Sequence, residues 1–222
     1  MTASILGAPV VIGATRDDVV REVADAVINL FSLARIDSFV ISGGASTPTV
    51  LRLVAQRWRA GPTLTMIVSD ERHCDDPAER NAEQLRATLA GTSLAHAPII
   101  ASSSDGDLIS AAHEWSSQLE LVAAPSLAIV SMADDGHIAS LFPNREATPV
   151  SASVVVCHAS PKPPPQRISL SSAYLRGVQH RFAIVIGAEK SAVLSSVANG
   201  ADLPVARFAP TRWFVESSAT LG

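Results

Sequence analysis

Ser38-Phe-Val-Ile-Ser-Gly-Gly-Ala-Ser-Thr-Pro-Thr-Val-Leu51 passes from an apolar run through a paired-glycine turn into a segment where Val50, Leu51 and Val54 recur at helical spacing. It reads as strand, glycine turn, helix. Upstream, Val20, Val23, Ala24, Val27, Ile28, Leu30 and Phe31 lay one apolar stripe along a helix over 17–33, with Thr15 or Asp17 as its cap. Downstream the unit recurs. Leu64-Thr-Met-Ile-Val68 is a strand, Ser69-Asp-Glu-Arg72 reads as a polar loop, and a helix is predicted over 81–89. A third unit opens near Ile99, followed by a helix over 107–122 and by Ser126-Leu-Ala-Ile-Val130, apolar enough to be buried on both faces of a parallel sheet. Beyond Pro143, strands are predicted at Ser153-Val-Val-Val156, Arg167-Ile-Ser-Leu170, Phe182-Ala-Ile-Val-Ile186 and Trp213-Phe-Val215, and a helix at 189–197. Ser160-Pro-Lys-Pro-Pro-Pro165 has too many fixed φ angles and missing donors for either element and reads as a rigid loop.

No internal repeat and no linker interrupts the pattern. The expectation is one α/β domain over 1–222, with a Rossmann-like, doubly wound, mainly parallel sheet flanked by helices. Such sheets bind ligands at the carboxyl ends of their strands, and every chemically suggestive loop here follows a strand.

Composition narrows the ligand. Seventeen Lys and Arg against 21 Asp and Glu give a net charge of -4. No basic block exists to displace counterions from a nucleic acid. No stretch reaches the roughly 18 apolar residues of a membrane span, and the amino terminus lacks a basic segment ahead of an apolar one, so a cytoplasmic location is expected. Aromatics are 5% of residues, which predicts a core of aliphatic side chains. Cys74 and Cys157 fit neither a disulfide framework nor a zinc pattern, and Cys157 follows three valines as a buried thiol would.

Three loops carry chemistry. Ser42, Gly43, Gly44, Ser46 and Thr47 combine close backbone approach, hydroxyls and free amides beside a helix amino terminus, as an anion site requires. The turn lacks the Walker and dinucleotide patterns, so no nucleotide is specified. Asp70-Glu-Arg72 follows a strongly apolar strand; its carboxylates could hold a hydroxyl and Arg72 could stabilise an oxyanion, although a solvated strand end explains it as well. Asp134-Asp-Gly-His137 places carboxylates near an imidazole, the arrangement that orients a general base. His137 is therefore preferred over the five other histidines. Arg167 and Lys190 are the cations in the second half that could close on a phosphate, against the plainer reading of solvated surface charge.

In this order the motifs resemble those of the 6-phosphogluconolactonases, within the superfamily that includes glucosamine-6-phosphate isomerase/deaminase. The family's Ser-Gly-Gly-Ser-Thr-Pro is Ser42-Gly-Gly-Ala-Ser-Thr-Pro48. Its Asp-Glu-Arg is Asp70–Arg72, and its Asp-Gly-His-Thr-Ala-Ser-Leu-Phe-Pro is Asp135-Gly-His-Ile-Ala-Ser-Leu-Phe-Pro143. Arg167-Ile-Ser-Leu170, Gly187-Ala-Glu-Lys190, Leu203-Pro204 and Trp213 extend the match over nearly the whole chain. The resemblance implies hydrolysis of 6-phospho-D-glucono-1,5-lactone in the oxidative pentose phosphate pathway, without metal or organic cofactor. The expected partner is a small sugar phosphate, and the expected state a monomer or weak homo-oligomer. In the implied mechanism His137 activates water, and Asp135, Asp70 or Asp134 orients it. Arg72 holds the oxyanion, Asn81 reaches the sugar, and the glycine turn holds the phosphate with Arg167 and Lys190.

The chain departs from this pattern in two places. The Gly-x-Gly that usually precedes the aspartate is Ser131-Met132-Ala133, which would strain the loop if either glycine needs φ > 0; the glycine after the proline is Asn144, a milder change. The loop after Arg72 is about one residue short, and its Ser-Asn is Arg80-Asn81, a new positive charge that could redirect substrate choice. Ile138 looks more like the isomerase/deaminase branch. A non-catalytic sugar-phosphate sensor is the other alternative.

Overall fold

The computed structural model describes residues 4–33, 36–44, 46–58 and 64–220; Ala45 of the glycine turn lies outside this set. In chain order the elements are β1 (Ser4–Ile5), β2 (Ala8–Gly13), α1 (Arg16–Leu33), β3 (Ser38–Ile41), α2 (Thr47–Arg57), β4 (Thr65–Val68), β5 (Asp70–Arg72), α3 (Asn81–Leu89) and β6 (Ile99–Ile100). They continue with α4 (Leu108–Glu120), β7 (Leu127–Ser131), β8 (Thr148–Pro149), β9 (Val154–Cys157), β10 (Arg167–Leu170), α5 (Ser172–Gly177), β11 (His180–Val185), α6 (Ser191–Ala198), α7 (Pro204–Phe208) and β12 (Arg212–Glu216).

Eight strands form the main sheet in the order β1-β2-β12-β11-β7-β3-β4-β6. All its pairs are parallel except the β1–β2 hairpin. The predicted α/β, mainly parallel sheet flanked by helices is thus present. β3 is fully buried and β7 nearly so, as runs of apolar β-formers between two layers must be. From β3 the chain winds outward through β4 to β6; it then returns to the other side of β3 as β7 and winds through β11 to β12. The order reverses between β3 and β7, so the ends of these two strands frame the crevice where such sheets take ligands.

Local signals set the helix boundaries. Thr15 Oγ accepts the amide of Asp18, whose carboxylate accepts the Thr15 amide in return, which starts α1 as a reciprocal cap. Asp107 accepts the amides of Ile109 and Ser110 and starts α4. The core is not purely aliphatic: Trp115, Trp213, Phe39 and Phe208 are among its largest fully buried side chains, and Phe182–Phe214 pack edge-to-face.

Two readings need correction. Asp70–Arg72 is a strand, not a loop. It belongs to a second, antiparallel sheet, β5-β10-β9-β8, which also takes the segments expected at 153–156 and 167–170. One residue, Ser69, separates β4 of the main sheet from β5 of the small one; its amide donates to Ile41 of β3 and its carbonyl accepts from Leu170 of β10. The two sheets are therefore stitched together at the site. The amino-terminal strands β1 and β2 were also unforeseen, although Val10-Val-Ile12 carries the β-branched signal.

Candidate active site

A cavity of about 530 Å³ opens over the carboxyl ends of β3 and β7. Its main-sheet wall includes Ser42, Gly43, Gly44, Ser46 and Ser131, and its small-sheet wall Asp70, Arg72 and Arg167. Asn81, His137 and Lys190 also line it. Thr47 and Asp135 do not: each stands behind a residue that does.

The turn after β3 is shaped by a close approach. A Cβ on Gly43 would overlap the Asn81 carboxamide, and Gly44 adopts φ +98°. Asn81 is fixed in turn, because its Nδ2 donates to the Asp70 carbonyl at 2.8 Å. Its Oδ1 is buried against Gly43 without a hydrogen-bond partner, and the residue lines the cavity. Gly43→Ala is accordingly expected to push Asn81 and the turn apart and to weaken binding of a small anion, inorganic phosphate being the probe, at least tenfold. Titration calorimetry measures this; unchanged binding would show that the approach has slack.

The sides of β5 alternate, so Asp70 and Glu71 face opposite ways. Asp70 is buried and accepts the hydroxyls of Ser69 (2.8 Å) and Ser140 (2.7 Å). It has no hydrogen bond to His137 and instead anchors the loop that carries it. Glu71, 1% exposed, is not a solvated strand end either. Its carboxylate accepts the amides of Arg72 (2.7 Å), Asn81 (2.7 Å) and Ala82 (2.9 Å), the latter two at the start of α3. Burial raises its pKa; these backbone donors oppose the rise.

In the loop after β7, Asp135 is the aspartate hydrogen-bonded to the histidine. Asp135 Oδ1 lies 2.5 Å from His137 Nδ1 and also accepts the His137 amide at 3.0 Å. The other edge of the ring is left on the cavity side, and its face packs on Phe142 with centroids 4.6 Å apart. Asp134 points elsewhere and pairs with Lys162 at 3.0 Å; the ammonium holds its carboxyl below the usual range. Gly136 needs its φ of +83°, and a Cβ there would sit 2.7 Å from Leu203. Ser131 and Ala133 are not among the residues with positive φ, so the strain expected from losing the family glycines does not arise. Asn144 does take the left-handed conformation, at φ 54°.

The cations divide by task. Arg72 donates through Nη1 to the Glu79 carbonyl, while its buried Nε has no partner. Arg167 lines the cavity, and through Nε and Nη2 it donates to the carbonyls of Lys162, Pro163 and Pro164, which braces the proline-rich loop against the cavity wall. Lys190 lines the cavity, and burial pulls its ammonium below the usual lysine range. Arg80 is absent from the cavity lining; it donates to Ser102 and Ser104 and pairs with the Glu71 carboxylate at 3.8 Å, so the extra charge is taken up outside the cavity. Arg16 and Lys162 also line the cavity and were missed, because isolated cations carry no motif. Cys74 is only partly buried and its thiol is pushed up by desolvation, which disfavours a nucleophilic role.

A switch-point cavity walled by cations, with an aspartate-oriented imidazole on one side, defines an α/β enzyme that handles small anionic substrates. Residues 14–217 match the family model for glucosamine-6-phosphate isomerases/6-phosphogluconolactonase. The chain is 31% identical to 6-phosphogluconolactonase of Mycobacterium tuberculosis and 32% identical to that of Mycobacterium leprae, covering 73% of this chain in both and 73% and 72% of those proteins. It belongs to the 6-phosphogluconolactonase family within that superfamily. The fold agrees: 6-phosphogluconolactonase from Thermotoga maritima superposes with TM-score 0.79 at 21% identity, covering 94% of this chain and 98% of that one. A monomeric glucosamine-6-phosphate deaminase gives 0.74 at 12%, covering 95% and 98%.

Proposed function

We propose that the chain hydrolyses 6-phospho-D-glucono-1,5-lactone to 6-phospho-D-gluconate, with His137 as general base. The observation that carries this reading is the imidazole held at Nδ1 by Asp135, with its opposite edge on the cationic cavity. With the Nδ1 proton donated to Asp135, Nε2 holds the lone pair. It takes a proton from water as the water oxygen bonds to the lactone carbonyl carbon. The carbonyl π pair moves to oxygen, and the Arg72 guanidinium, which lines the cavity, is the cation suited to that oxyanion. As the oxyanion collapses, the bond from the carbonyl carbon to the ring oxygen breaks and His137 returns the proton to the departing oxygen.

Phosphate binding is assigned to the amides of the turn and the α2 amino terminus, with Ser42, Ser46 and Lys190. Asn81, which lines the cavity and sets the position of Gly43, contacts the sugar. These contacts lie away from the reacting carbon and serve to position it. Asp70 and Thr47 act through neighbours, and Arg167 through the loop it braces.

The test compares freshly made phosphogluconolactone with unphosphorylated gluconolactone, alongside glucosamine 6-phosphate. Rapid hydrolysis of the first is expected; ammonia release from the last, without lactone hydrolysis, would overturn the reading. Lys190→Met is expected to raise KM for the phosphorylated lactone at least tenfold and leave the unphosphorylated one nearly unchanged. Because burial lowers the Lys190 pKa, the free enzyme loses this positive charge at less alkaline pH than an ordinary lysine would. Affinity for 6-phosphogluconate should therefore weaken early on the alkaline side, and Lys190→Met should flatten that limb.

A further inference from the structure

We infer that Ser131, which stands where the family pattern has glycine, is an additional anion-binding residue that completes a relay of hydroxyls between β7 and α2. The inference rests on the phosphate end of the cavity being at the Ser42–Thr47 turn. Ser131 is the last residue of β7, the strand that pairs with β3, so the switch point itself brings it beside that turn. Its amide donates to Ser42 Oγ at 3.1 Å, and its own Oγ lies 3.3 Å from Thr47 Oγ1. Thr47 Oγ1 is in turn 3.5 Å from Ser42 Oγ, which is also placed to donate to the Gly43 carbonyl at 3.2 Å. Thr47 is the first residue of α2 and is buried, whereas Ser131 lines the cavity.

Counting protons shows what the relay offers. Each hydroxyl has one proton to donate and two lone pairs. When Ser42 turns its proton from the Gly43 carbonyl to Thr47 and Thr47 donates to Ser131, the Ser131 proton is left over on the cavity side. In the reverse polarity Ser131 donates to Thr47 and the cavity meets only lone pairs. An anion at the turn selects the first polarity, so Ser131 presents a donor to it while accepting from Thr47, and the aligned chain strengthens each link. Glycine at 131 would retain the amide bond to Ser42 but have no hydroxyl and leave Thr47 without this partner.

The experiment measures binding of 6-phosphogluconate and of unphosphorylated gluconate to the purified protein by calorimetry, with Ser131→Gly, Ser131→Thr and Lys190→Met. Ser131→Gly is expected to weaken 6-phosphogluconate three- to tenfold and leave gluconate unchanged, with Ser131→Thr restoring most of the loss. If Lys190→Met weakens the phosphorylated ligand and Ser131→Gly does not, the relay inference fails while the phosphate assignment stands. If Ser131→Gly weakens both ligands equally, the hydroxyl serves the sugar or the fold, and the inference is again overturned. If Lys190→Met has no effect, the assignment of the phosphate end falls with it.

Discussion

Replacing His137 with alanine is expected to lower the enzymatic rate on phosphogluconolactone by about 10²- to 10⁴-fold, the range that a positioned general base contributes. The ring does not carry the fold. It is held by one side-chain hydrogen bond to Asp135 and by contact with Phe142, while the loop's path depends on backbone bonds such as Ala133 N–H to the His137 carbonyl at 3.0 Å. Those bonds survive truncation to Cβ, as does the bond from the His137 amide to Asp135. The melting temperature and the affinity for 6-phosphogluconate should therefore change little. Because the lactone also opens spontaneously, initial rates must be compared at matched buffer and pH with the uncatalysed rate subtracted. A variant that retains more than a third of wild-type activity would remove His137 from the mechanism. A variant that loses activity together with its fold would be distinguished by the melt.

The second large effect concerns Glu71, a residue with no contact to the cavity. Glu71→Ala is expected to destabilise the protein by about 2 to 5 kcal/mol, because it leaves three amide donors at the start of α3 and in β5 without their acceptor in a buried setting. For a chain of this size that corresponds to a fall in Tm on the order of 10 °C. The raised pKa does not contradict this. Burying the charge is costly, and removing the acceptor after the structure has closed around it is costlier. The sign of the pH dependence follows: a carboxyl whose folded pKa is above its unfolded value of 4.5 contributes most below that value, and part of its contribution is lost as pH rises through the folded pKa. The stability gap between wild type and Glu71→Ala should narrow across that window and level off above it. Chemical denaturation at several pH values measures this. A gap below about 1 kcal/mol throughout would show that water replaces the carboxylate. Because Asn81 follows the helix start, the variant should also bind 6-phosphogluconate more weakly.

Apart from β1 and β2, the main sheet was legible because its strands are short apolar runs between helices of clear periodicity, and the loops of the candidate site were legible because they follow such strands. The small sheet was not. Asp70-Glu-Arg72 has no apolar alternation, and its pairing with Arg167–Ser169 joins segments about a hundred residues apart. Glu71 looked like surface charge because, beside the Arg80 guanidinium at 3.8 Å, its partners are main-chain amides, two of them ten and eleven residues away, and no sequence pattern records an amide that needs an acceptor. Arg167 was identifiable as a cation near the site, but its engagement by three carbonyls of the proline-rich loop depends on how that loop folds back. The expected strain at Ser131 and Ala133 failed for a simpler reason: a glycine in a family pattern can mark close packing as readily as positive φ.

The single residue between β4 and β5 also governs where this chain tolerates changes in length. Inserting or deleting one residue between Val68 and Asp70 would exchange the faces of Asp70 and Glu71, turning the loop anchor toward α3 and the helix acceptor toward the cavity. Length variation should instead collect beyond His73, whose amide still donates to the Gln166 carbonyl at 3.1 Å in continuation of the ladder. In an insertion library screened for folding, the boundary between permitted and forbidden positions should fall sharply at that point.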